Sequence, residues 1–336
     1  TEIGDNRAEG EQALKDVVAK CGAHPGFLVW EITDESLWTC FLNAMRGSGT
    51  LVEKANAFHA SAAAQAARMA LGYKFMKDID PHHPIWENYS AGGAHEQVAA
   101  HAGGADIIGA DIYPLMPYPT HPVDISRDGL GFVGICAMKM QQAAPEKPVW
   151  MVLQGMSWGD TNDLFTHKPE PAQYPTFDES RFMAYDAIVR GARGVLYWGT
   201  HTIPKDTQFW KDIMKVAREL ADRQTVLNAP DSPVTPDVDM RLFGFLPWSV
   251  SGAGTLRPGS PLGVKALGKV VDGATWWIVV NELFFGFSYT LSGLDALNGT
   301  TYVEATTGQT ATVRNGALSL NIPKYGVHIL KPNVTP

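Results

Sequence analysis

Near residue 228 the hydrophobic period of this chain changes, and few architectures accommodate both sides of the change. From residue 11 to about 222, stretches with apolar residues at helical spacing alternate with short apolar runs, as parallel strands joined by helical crossovers do. The runs FLVWEIT, IWENYS, ADIIGADIYP, KPVWMVLQG and RGVLYWGTH read as five strands. Helices are predicted over EQALKDVVAKCGA, residues 50–78, EQVAAHAG, DGLGFVGICAMKMQQAA, FDESRFMAYDAIVRGA with Asp178 as its N-cap, and DTQFWKDIMKVARELADRQ. Each strand is thus followed by a helix. After 228 come Pro230, Pro233 and Pro236 in a polar linker, and then only segments that alternate with period two, such as ATWWIVVNE, FSYTLSG and YGVHILK. Asp272-Gly273 and Asn315-Gly316 are two-residue hairpin turns. The expected organisation is an α/β domain over 1–228 and a small all-β sandwich over 229–336.

The length supports this: 336 residues with 45% hydrophobic content fill two cores at roughly 150 residues per domain. Charged residues are 18% of the chain and the net charge is −8, so no basic surface is available for nucleic acid or anionic membrane. No apolar run approaches the roughly 20 residues that cross a bilayer. The polar start lacks the features of a signal peptide. A soluble chain is expected, secreted or periplasmic if a leader was removed and otherwise cytoplasmic. Three cysteines, Cys21, Cys40 and Cys136, have no CxxC spacing, and buried free thiols are expected. His24 and His82-His83 lie in Pro-containing loops without a second cluster at ligand spacing, so no metal is predicted. Gly92-Gly93 and Gly103-Gly104 lack the spacing of a phosphate-cradling loop, and no cofactor is predicted. The 10 Trp, 10 Tyr and 14 Phe beside 33 Gly and 22 Pro suit loops around aromatic-lined clefts, a bias toward sugar binding.

Taken as an ordered set, HPGFLVWEITDES, GADIYP, KPVWMVLQGMSW, GARGVLYWGTH and the closing YGVHILKP resemble glycoside hydrolases with a (β/α)8 barrel and a C-terminal β-sandwich. The first segment is similar to that family's fourth strand, which commonly ends in an acid/base Glu, and the next three are similar to the sixth, seventh and eighth. The resemblance covers about residues 11–332. It implies a partial TIM barrel of about five βα units, because the three units that should precede Phe27 are missing and a full barrel takes about 250 residues. Either the chain is a fragment or the barrel is open. An open barrel exposes two sheet edges, which another subunit can cover, so self-association is expected. A second departure is Gln154, which stands where such enzymes usually carry the nucleophilic Glu.

Barrel active sites gather at the C-terminal ends of strands, which makes Asp34, Glu35, Glu87 and Asp111 the candidate carboxylates. Glu35, with Trp30 and Trp38 near it in sequence, is expected to be the general acid/base; the alternative is that Asp34-Glu35-Ser36 only opens a helix, where acids favour the positive dipole end. Asp111, or else Glu87, is the candidate nucleophile or base, and Glu31 could be a buried partner. The Asp34-Glu35 pair also resembles that of hexosaminidases, in which the substrate's own acetamido group is the nucleophile. Trp38, Tyr113, Trp158 and Trp198 lie at or past strand ends, where flat rings stack on sugars. Gln154 and His201 are candidate hydrogen-bonding partners of substrate. For Trp150 and Trp277 core packing is the better reading, and at most one of Trp276 and Trp277 could be an exposed platform. The sequence therefore points to a glycosidase of β-linked sugars, against a non-catalytic carbohydrate-binding protein on a degenerate barrel, and fold alone does not choose between them.

Overall fold

The computed structural model describes residues 7–115, 129–161, 172–241 and 262–333. The chain divides into two compact units, one of residues 1–112, 136–152 and 191–196, the other of residues 113–135, 153–190 and 197–336.

The first is organised by a parallel sheet in strand order β1-β2-β3-β4-β5: Trp30–Glu31, Ile85–Ser90, Ile107–Ile112, Val149–Gln154 and Ala192–Trp198. Helix α1 (Arg7–Cys21) precedes β1, and α2 (Ser36–Arg46), α3 (Leu51–Ile79), α4 (His95–His101) and α5 (Phe132–Ala143) lie between the strands in sequence. The five expected strands, in sequence order with helices between them, are the partial barrel that the sequence implied. The first is shorter than expected: Phe27–Thr33 supplies only the two residues of β1, which among the described residues pair on one side alone, with Ile85 and Trp86 of β2. Helix α3 begins where Thr50 accepts from the Glu53 amide and Glu53 accepts from the Thr50 amide, and ends at Asp80 because Pro81 cannot continue it. Trp150 is held closely on β4. A Cβ on Gly109 would lie 1.8 Å from the Trp150 carbonyl oxygen, and one on Gly194 would lie 2.4 Å from its ring, so only glycine lets these strands pack there.

The second unit carries α6 (Phe177–Val189), α7 (Gln208–Asp222), the short α8 (Gln224–Leu227) and the antiparallel strands. The N-cap of α6 is Thr176, not Asp178: its hydroxyl accepts from the Glu179 amide and the Glu179 carboxylate accepts from the Thr176 amide, a reciprocal pair that Asp178 is two residues too late to make. Strands β7 (Val264–Val271), β8 (Ala274–Asn281), β10 (Thr301–Glu304), β11 (Thr310–Thr312) and β13 (Val327–Pro332) form one sheet in the order β11-β10-β13-β8-β7. Strands β6 (Asp237–Arg241), β9 (Phe287–Ser292) and β12 (Leu318–Ile322) form another in the order β12-β9-β6. Trp277, Leu291, Leu294, Tyr302 and Leu330 share the core between them, so Trp277 packs as expected. Asp272-Gly273 and Asn315-Gly316 have positive φ at both residues, the geometry that two-residue hairpins of this twist require.

Helix α6 is fastened to the strands by two arginines. Arg181 donates to both Glu219 carboxylate oxygens from Nε, at 2.9 and 3.0 Å, and to the Val327 carbonyl from Nη1 at 3.1 Å. Arg190 grips Glu282 from Nε at 2.6 Å and Nη2 at 2.9 Å. The Asp186 carboxyl, fully buried and hydrogen-bonded to Glu282, accepts from the Gly134 amide at 2.7 Å. Burial, and then the charge of Glu282, raises its pKa well above the carboxylate range. All three cysteines are free thiols, Cys40 and Cys136 buried and Cys21 partly so. Among the described residues no helix is long and apolar enough to cross a membrane.

Candidate active site

The turn between β1 and α2 sets the position of Glu35. Glu35 has φ 45 and ψ 44, a left-handed conformation that costs a residue with a Cβ on the order of 1–2 kcal/mol. Its amide donates to the Asn88 carbonyl of β2 at 3.0 Å, and the Asn88 side-chain amide donates to Asp34 at 2.9 Å. Although Glu35 occupies the N-cap position of α2, its side chain makes no capping hydrogen bond. The carboxyl therefore does not cap the helix through a hydrogen bond of its own.

The carboxyl is instead hydrogen-bonded to Asp111, at the end of β3. Burial, then the charges of Asp111 and Asp34, push Glu35 up to about 8. The cause is physical: taking a carboxylate out of water and placing it beside two others disfavours its charged form. The thiol of Cys136 is buried and pushed up to about 11, chiefly by desolvation, with Lys139 opposing and Asp111 adding, so it is no nucleophile at neutral pH. Glu31 stays exposed on β1, not the buried partner the sequence suggested. Partial burial and the charge of Asp34 raise its pKa.

Glu87 is not at this surface. Its side chain is 0% exposed, accepting from Ser36 Oγ at 3.0 Å and from Tyr89 Oη at 2.5 Å, with His101 Nδ1 at 3.9 Å. Strand alternation gives the reason: Glu87 and Tyr89 share the face of β2 opposite to Asn88, so Asn88, which the sequence reading passed over, is the residue whose side chain reaches Asp34. The signal was available in the period-two pattern of IWENYS, but nothing in the sequence says which of its two faces meets residues 34 and 35.

In the other unit a second group assembles. The Tyr113 ring stacks on Trp198 at 5.5 Å and meets Trp158 edge-on at 5.9 Å, while Trp198 meets His201 at 6.4 Å. Trp158 Nε1 donates to the Tyr113 carbonyl at 3.3 Å, and Trp198 keeps 37% of its surface exposed. Three of the four predicted platform aromatics, with His201, thus form one cluster. Trp38 lies on α2, stacked on Phe41 at 5.2 Å. Gln154 does not present its amide to a ligand. It is 0% exposed; its oxygen accepts from the Leu115 amide at 2.9 Å, and its nitrogen donates to the Leu115 and Met156 carbonyls at 3.2 Å each. All three bonds go to backbone, so Gln154 pins the segment after β3. Among the described residues no group of three or more His, Cys, Asp or Glu is gathered to hold a metal ion.

This partial parallel barrel, followed by antiparallel sheets, is the fold of glycoside hydrolases that combine a (β/α)8 barrel with a β domain. No protein-family profile matches the chain, and no curated protein matches it. Among solved structures it is similar to a β-galactosidase from Bacillus circulans sp. alkalophilus, at TM-score 0.57 and 10% identity over 97% of this chain and 82% of that one. It is similar also to Gan42B, a GH42 β-galactosidase from G. stearothermophilus, at TM-score 0.56 and 10% identity over 98% of this chain and 82% of that one. A catalytic mutant of the same enzyme matches at TM-score 0.54, 10% identity and the same coverage. The likeness is one of fold.

Proposed function

We propose that this chain is a glycosidase acting on β-linked glycosides, with Glu35 as its general acid/base. One observation carries the reading: a strand-end carboxyl in left-handed backbone, bonded to Asp111, keeps its proton at neutral pH because its pKa is pushed up to about 8. A general acid must hold a proton at the working pH to donate it to the leaving oxygen. Turnover that needs this proton falls as pH rises through about 8. The aromatic cluster of Tyr113, Trp158 and Trp198 supports a sugar ligand, its exposed ring offering a flat apolar face.

Asp111 acts here as the group that keeps the proton on Glu35. With Glu87 buried and an amide at Gln154, Asp34 is the remaining acid beside Glu35. Its exposure and its single orienting bond from Asn88 favour a substrate-assisted route, in which Asp34 orients an acetamido group that attacks the anomeric carbon. The binding-protein reading takes its support from the same missing nucleophile.

The test is hydrolysis of a panel of aryl β-glycosides, including N-acetylhexosaminides, by the wild type and Glu35→Gln. We expect turnover that falls by roughly 100-fold or more in the variant, with the acetamido sugars preferred. Saturable binding without turnover by either protein would overturn the enzyme in favour of the binder. We further propose that a second copy of the chain covers the open side of the sheet. β1 and β5 end the sheet among the described residues, and Leu28, beside β1, is 66% exposed. Light scattering at micromolar concentration is expected to give a dimer, and a monomeric mass would overturn this.

A further inference from the structure

Behind Glu35 lies a buried polar chain that the proposed chemistry leaves unused. Ser36, His101 and Glu87 are 1%, 1% and 0% exposed, and a carboxyl is expensive to hold at such a place unless it is well bonded. Glu87 receives hydrogen bonds from the hydroxyls of Ser36 and Tyr89. His101 Nε2 stands 3.0 Å from the Ala62 carbonyl, which can only accept, so Nε2 carries a proton. The ring's Nδ1 faces Ser36 Oγ at 3.4 Å. The Ser36 hydroxyl thus lies between Glu87 and His101 and donates at 3.0 Å to the Glu87 carboxyl.

Ser36 directly follows the left-handed residue. Two consecutive residues of β2 grip this turn: the Asn88 carbonyl takes the Glu35 amide, the Asn88 side chain takes Asp34, and Glu87, from the opposite face of the strand, takes Ser36. A non-glycine residue keeps such a conformation only where its surroundings over-determine it. We propose that Ser36 and Glu87 are positioning residues for Glu35, their buried hydrogen bond holding the Asp34-Glu35-Ser36 turn in the left-handed form that brings the Glu35 carboxyl to Asp111. This rests on Glu35 being the proton donor. It predicts that the Ser36 hydroxyl controls how Glu35 titrates, which a hydroxyl serving the core alone does not do.

The test reads Glu35 directly. Water-soluble carbodiimide reacts with protonated carboxyls, and peptide mapping by mass spectrometry follows labelling of Glu35 against exposed carboxyls of the same sample, from about pH 5 to about pH 10. The wild-type midpoint is expected near about 8. In Ser36→Ala it should fall by at least about one pH unit as the carboxyl leaves Asp111, while Ser36→Thr, which keeps the hydroxyl, should restore it. Should Ser36→Ala not fold, Ser36→Cys, of similar shape but a weak donor, is read in the same way. A folded variant with lowered melting temperature and an unmoved midpoint would overturn the proposal. On any glycoside the wild type hydrolyses, Ser36→Ala should lose about 10-fold or more in kcat with KM little changed. Absence of turnover by the wild type would remove the glycosidase reading, while the labelling midpoint would still decide the clamp.

Discussion

At Glu35 two unfavourable conditions coincide, a left-handed backbone and a carboxyl beside other carboxyls. The second has a pH signature. With a folded pKa of about 8 against an ordinary 4.5, the native state binds more protons than the unfolded chain between those values. The group's contribution to stability is full below 4.5 and is lost progressively as pH rises to about 8. Glu35→Gln removes this dependence and leaves the backbone cost unchanged. The variant should therefore be more stable than the wild type by about 1 kcal/mol at pH 8, a figure discounted because the group keeps some solvent contact. The gap should close toward pH 4.5. Urea unfolding of both proteins at acid and at alkaline pH measures it, and equal gaps at the two would mean that Glu35 is ionised throughout. The positions of Glu35 and Asp111 beside one another at strand ends could be expected from the sequence, because each follows an apolar run. Those of Ser36, Asn88 and His101 could not, since their partners lie across the sheet and hydrogen bonds leave no periodic trace.

At the level of elements, legibility followed length and period. Helix α3 and strand β2 fall where the sequence puts them, because a long helical repeat between Thr50 and Pro81, or an apolar run bounded by Pro84 and Gly92, leaves little choice. β1 shrank because pairing on one side does not extend a strand toward a turn that must go left-handed. Alternation states that Glu87 and Asn88 face opposite ways; it does not state that α3 and α4 bury the Glu87 side. For the same reason Gln154 read as a ligand partner, while its three bonds go to backbone. Helix α6 shows how a cap is misplaced by looking only for an acid in the first turn. The Thr176–Glu179 pair satisfies two amides that would otherwise be left without partners, and Thr176→Ala should lower stability by about 1 kcal/mol, measurable as a shift of the urea midpoint. An equal loss in Asp178→Ala would restore Asp178 as the cap.

For the whole molecule, the change of period at about residue 228 was the strongest signal, because a helical repeat and a two-residue repeat cannot be confused over a hundred residues. What period does not report is ionic packing across that point. Arg181 reaches the Val327 carbonyl and Arg190 grips Glu282, with Asp186 buried against the same pair. A buried charge that loses its partner costs about 3–5 kcal/mol. The consequence concerns ancestry and recombination. A gene fusion that joined these strands to another barrel at the linker would leave Arg190 without Glu282, while Arg181 would keep Glu219 and lose only the Val327 carbonyl. Helix α6 and the strands beyond the linker are therefore inherited together, because a junction in the proline-rich linker separates Arg190 from Glu282.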